Sequence, residues 1–88
     1  MKNGLTVNEV GTKCWYLNDK LHRTDGPAIE HSNGNKYWYL NGKRHRTDGP
    51  AIEHSNGSKH WYINGVGLSE KEYLRLIRKK KLIEILGV

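Results

Sequence analysis

A chain of 88 residues with formal charge +6, three Trp, five Tyr, no Phe and one Cys is one small domain, able to bury about 60 to 65% of the surface its unfolded form exposes. The single thiol, Cys14, excludes an internal disulfide, and no apolar run approaches the ~20 residues that a membrane-spanning helix needs. The first stretch, MKNGLTVNEV, lacks a signal-peptide core, so the expected compartment is a reducing cytoplasm.

Trp15, Trp38 and Trp61 stand 23 residues apart and open nearly the same string, the signature of stacked supersecondary units. Residues 1–68 form this repeat region, with a half-copy at 5–14, copies from 15 and 38, and a truncated one from 61. Residues 69–88 form a basic segment of different composition. In the half-copy Gly11 matches Gly34, Lys13 matches Lys36, and Cys14 takes the place held by Tyr37 and His60, as in a terminal unit that caps a stack.

Within a copy, residues 36–40 alternate as a strand, with Trp38 and Leu40 on one face and Tyr37 and Tyr39 on the other. Asn33-Gly34 before it and Asn41-Gly42 after it read as two-residue type I′ turns. That register sets Ile29 and His45 opposite Trp38, and Glu30 and Arg46 opposite Tyr37. In the last copy the corresponding rows are Ile52, Trp61, Leu68 and Glu53, His60, Ser69. Residues 47–50, Thr-Asp-Gly-Pro, read as a corner, because Pro50 has no N–H to close a further hairpin. The Asp side chain is expected to satisfy nearby backbone donors there. The predicted fold class is mainly β: antiparallel β-hairpin repeats in an open twisted sheet or short solenoid, with one C-terminal α-helix.

The pattern W-Y-x-N-G-K-x-H-R-x-D-G-P-A-I-E at residues 38–53, repeated at 15–30 with Asp19 in place of the turn glycine, resembles MORN-like repeats. It is most similar to a variant class common in bacteriophage and large-virus proteins. The resemblance covers about three quarters of the chain. It implies a meandering antiparallel sheet and a non-catalytic role in protein–protein contact, membrane association or antitoxin-like activity. A phage setting would make inhibition of a host defence protein or host enzyme the expected role, in the host cytoplasm. The Gly-x-Gly usual in MORN repeats is replaced here by residues 45–50, His-Arg-Thr-Asp-Gly-Pro, which weakens the case for lipid binding.

Ser69 and Glu72 form a capping box that predicts a helix start. At about 100° per residue, Tyr73, Leu74 and Ile77 gather on one face, while Leu82, Ile83, Ile85 and Leu86 point elsewhere. One straight helix does not bury both groups on one sheet, so either the helix bends or ends near Lys81, or the second group meets another surface and is a candidate homodimer contact. The alternative is that the tail folds back over the sheet edge. Between the two groups lie Arg75, Arg78, Lys79, Lys80 and Lys81, either a solvated helix face or a contact for nucleic acid or an acidic partner.

Five histidines raise a metal site, yet His22 matches His45 and His31 matches His54, so repetition explains four of the five. No ligand spacing, nucleophile elbow or phosphate loop occurs. The expectation is therefore no enzyme, no cofactor and no metal. Tyr16, Tyr39 and Tyr62, with Arg44 across from Tyr39, form the candidate partner-binding face, since Tyr and Arg are enriched at binding hot spots. The expected function is a protein-binding module. Nucleic-acid binding by the basic helix and structural self-assembly are the alternatives.

Overall fold

The computed structural model describes residues 2–86, with side chains as far as Leu82. The strands are β1 (Gly4–Val7), β2 (Lys13–Leu17), β3 (Lys20–Leu21), β4 (Ile29–Glu30), β5 (Lys36–Tyr37), β6 (Tyr39–Leu40), β7 (Lys43–Arg44), β8 (Ile52–Glu53), β9 (Lys59–Ile63) and β10 (Val66–Leu68). The helix α1 (Glu70–Leu86) follows. The architecture is an open antiparallel sheet, ordered β1-β2-β4-β5-β8-β9-β10 with β3 also on β2, and a separate β6-β7 ribbon. The molecule measures 47 × 32 × 18 Å, thin in one direction as a single sheet with one covering helix must be.

Three tight turns follow the type I′ reading. Asn18 and Asp19, Asn41 and Gly42, and Asn64 and Gly65 all take positive φ, the geometry that matches strand twist in a two-residue loop. The other turn of each unit differs from expectation. At residues 31–35 the His31 N–H donates to Asn35 O and the Gly34 N–H to His31 O, so the loop holds three residues instead of two. Only Gly34 there has positive φ, at 98°, while the Asn33 side chain accepts from the Asn35 N–H.

One extra loop residue slips the register by one. Ile29 lies opposite Tyr37 and Glu30 opposite Lys36, in place of the expected Trp38 and Tyr37. Ile52 likewise faces His60 and Glu53 faces Lys59, whereas Leu68 does face Trp61 as expected. The row Lys13, Glu30, Lys36, Glu53, Lys59 consequently alternates in charge across five strands. Such opposite-charge neighbours contribute about 0.2 to 1 kcal/mol each.

The strand expected at 36–40 is divided at Trp38, where the pairing partner changes. The Trp38 N–H donates to Ala51 O, and its carbonyl accepts the His45 N–H. His45 therefore does lie across from Trp38, but Tyr37 pairs with Ile52, and Arg46 is left free to turn away. Successive hairpins are tied together through Arg23 N–H to Tyr39 O, Gly42 N–H to Leu21 O and Asn41 N–H to His22 Nδ1. The same three bonds recur one unit later as Arg46 to Tyr62, Gly65 to Arg44 and Asn64 to His45. At the start, Val7 faces Lys13 as Glu30 faces Lys36, so the half-copy at 5–14 repeats the register of β4 and β5.

The capping box is formed: Ser69 N–H donates to Glu72 Oε1 and Glu72 N–H to Ser69 Oγ, both at 3.1 Å. These bonds, the backbone one foremost, hold the Glu72 carboxyl below its usual range. The helix runs unbroken from Glu70 to Leu86. Among its described side chains the buried ones are Tyr73 and Ile77, at 2% and 9% exposure. Leu74, expected beside them, is half exposed, because a helix touching a thin sheet along one line covers only the i, i+4 stripe. Ala28, Ala51 and Ile52, with Pro27 beside Ala28, are the other buried apolar residues among those described.

Candidate functional site

Each corner is built around an arginine. The Arg46 guanidinium lies 3.8 Å from the Trp38 ring centroid, and Arg23 repeats this over Trp15. Arg46 Nε donates to Asp48 Oδ1 at 2.8 Å, while Nη1 donates to Pro50 O at 3.0 Å and Glu53 Oε2 at 2.6 Å. Arg23 makes the same bonds to Asp25 and Pro27 O, with Glu30 farther off at 3.7 Å. The corner aspartate thus accepts chiefly from the arginine side chain, with the backbone N–H of Asp25 adding to it at the first corner. The fork two residues away is a stronger, charged donor. Arg23's hydrogen bond first, and its charge second, hold the Asp25 carboxyl below its usual range.

Of the predicted contact residues, the structure joins Tyr39, Arg44 and Tyr62. Tyr39 and Arg44 are cross-strand partners, and Arg44 Nε donates to the Tyr39 hydroxyl at 3.2 Å. That bond leads in raising the Arg44 pKa further above its already high ordinary value. Arg44 also reaches the ring of the next hairpin, its guanidinium 5.3 Å from the Tyr62 centroid. Tyr16 stands apart, facing Leu21 where Tyr39 faces Arg44, with the Lys2 ammonium 5.0 Å from its ring.

The helix leaves this Tyr/Arg face uncovered. Tyr73 reaches Arg46 O and Gly49 N–H at the second corner. Ile77 and Leu76 lie with Ile63, on the strand face opposite Tyr62.

A second aromatic row escaped the sequence reading. His31, Tyr37, His54 and His60 meet edge to face in succession, with centroids 5.3, 6.0 and 5.5 Å apart. The signal was present in the three-residue loop, which carries His31 and His54 onto the same face as Tyr37. Among the described residues no three His, Cys, Asp or Glu side chains gather as metal ligands.

Arg75, Arg78, Lys79, Lys80 and Lys81 are all exposed on α1. Arg75 and Lys79 border Leu68 along one side of the helix, whereas Lys80 and Lys81 border Thr47 and Asp48 along the other. Leu82 is 55% exposed, and the side chains of Ile83, Ile85 and Leu86, the rest of the expected dimer contact, lie outside the described residues. No helix among the described residues is long and apolar enough to cross a membrane. The chain matches no protein-family model, no curated protein and no solved structure.

Proposed function

We propose that the chain is a non-enzymatic protein-binding module whose contact surface is the ladder Tyr39, Arg44, Tyr62. The observation that supports this reading is the position of Arg44. It is exposed, hydrogen-bonded to one tyrosine and set against the ring of the next, on the face that α1 leaves uncovered. Aromatic rings held in place by a guanidinium lose little side-chain freedom on docking, which is why Tyr and Arg dominate hot spots. The resemblance to MORN-like phage and large-virus repeats extends the proposal to inhibition of a host defence protein or host enzyme, with the protein in the host cytoplasm.

The test is the double substitution Tyr39→Ala, Arg44→Ala. Capture of the partner from a host lysate should fall by about tenfold or more, while the thermal melt moves by only a few degrees. A collapsed melt would instead make this face part of the fold's support.

The exposure of Arg75, Arg78 and Lys79 on α1 supports nucleic-acid binding as a second reading. Affinity would then fall steeply with salt, through counterion release. Unchanged binding after Arg78→Glu with Lys79→Glu would discard it.

A further inference from the structure

The repeat presents the same pair of backbone groups twice, and α1 closes one pair only. At the second corner the Tyr73 hydroxyl donates to Arg46 O at 2.7 Å and accepts from Gly49 N–H at 3.2 Å. Ile77 lies beside Thr47 and Ile63, and Lys80 and Lys81 lie beside Asp48. The counterparts at the first corner, 23 positions earlier, are Arg23 O, Gly26 N–H, Thr24, Leu40 and Asp25. Among the described residues no hydrogen-bond partner closes Arg23 O or Gly26 N–H. They border a cleft of about 460 Å³ between the two corners, floored by Trp38 and Leu40 and walled on its far side by the second corner, Arg46 to Asp48.

We propose that this cleft receives a tyrosine carried on a helix of a partner protein, seated as Tyr73 is seated one unit later. The chemistry selects the residue. A phenol is at once a donor and an acceptor on an aromatic body, matching one free carbonyl and one free N–H beside an indole. A phenylalanine would fill the same space but leave both backbone groups unpaired.

The presentation follows α1, which carries Tyr73, Ile77 and the pair Lys80, Lys81 down one side. A partner helix with an aliphatic residue four positions after its tyrosine would meet Leu40 and Thr24. Basic residues one turn further would meet Asp25, whose carboxylate is as exposed as that of Asp48 (82% and 83%). This surface is on the Trp side of the sheet, opposite the Tyr39, Arg44, Tyr62 ladder, and is independent of it.

The chain contains its own probe. A peptide of residues 69–82 is titrated into the isotope-labelled full-length protein, and amide and indole shifts are followed. The expected result is saturable movement of the Gly26 amide and the Trp38 indole with the Leu74 and Ile77 amides of α1 unmoved. The peptide carrying Tyr73→Phe should bind about tenfold more weakly. Thr24→Trp, which blocks the cleft from an exposed position, should abolish the shifts and leave the melt unchanged.

Four outcomes would overturn the proposal. One is no shift at about millimolar peptide, and another is equal binding of the Phe peptide. A third is movement of the Leu74 and Ile77 amides, showing that the peptide only displaces α1. The fourth is binding that emerges only in a chain shortened after Leu82, which would make residues 83–88 the occupant.

Discussion

Arg46 carries its guanidinium 3.8 Å from the ring of Trp38, and this pair is the joint at which each unit folds. The strand arriving at Trp38 changes partner there, and the chain leaving His45 turns through the corner that Arg46 holds by Asp48, Pro50 O and Glu53. Stacking on the indole contributes about 0.5 to 1 kcal/mol at an exposed site and more where water is excluded.

The same guanidinium sets the requirement for glycine at the corner. A Cβ on Gly49 would stand 2.9 Å from Arg46 Cζ, and on Gly26 3.0 Å from Arg23 Cζ. An arginine tip usually yields, but Arg46 is pinned by a 2.6 Å bond to Glu53, whereas Arg23 stands 3.7 Å from Glu30. Gly49→Ala should therefore cost about 1 to 3 kcal/mol, and Gly26→Ala less. Urea midpoints of the two variants check this. The reverse order would show that pinning of the arginine does not set the cost.

Tyr73→Phe keeps the buried ring and removes its hydroxyl, leaving Gly49 N–H and Arg46 O without their partner. A loss of about 1 to 3 kcal/mol is expected, with the helix signal melting at lower temperature. Burial raises the Tyr73 pKa, so the folded chain keeps this proton when the unfolded chain gives it up. Its contribution is fully present below about pH 10 and is lost as pH rises through the folded value. A phenolate titration in which the tyrosine removed by Tyr73→Phe ionises at higher pH in the folded chain than in the unfolded one would bear this out. Ionisation of that tyrosine at the same pH in both states would refute it.

His45 gives the opposite sign. Burial foremost, then the nearby Lys80 charge, pushes its pKa down, and its Nδ1 accepts the Asn64 N–H, a role the protonated ring does not have. Below the unfolded value of about 6.5 the unfolded chain binds this proton more readily. Stability is thus complete above about pH 6.5 and falls as pH drops towards the folded value. Urea midpoints between about pH 7.5 and 5 should decline less for His45→Gln than for the parent chain. Parallel declines would remove His45 as the origin.

Local chemistry made much of the architecture readable. Asn-Gly before Lys43 forces a two-residue turn, Pro50 forbids a third hairpin, and Ser69 with Glu72 starts a helix, each through contacts between near neighbours. The turn at Asn33-Gly34 went astray because its loop length depends on which residue takes positive φ. That choice was made by His31 closing on Asn35 and by the packing of Ile29 against Tyr37. The Tyr39 and Arg44 pairing was legible from the turn between them, but the reach of Arg44 to Tyr62 crosses two units and depends on how hairpins stack.

The period, the turn residues and the cap lie within a few positions of the bonds they make, so the 23-residue unit, its strands and the helix follow from the amino-acid string. Face and closure do not. Which side α1 covers, and that Tyr73 seals the second corner while the first stays open, result from long-range packing between residues 24 or more positions apart. Nothing in a repeated string distinguishes one corner from its copy. Only the folded chain, with a single helix to place against two equivalent corners, makes them different.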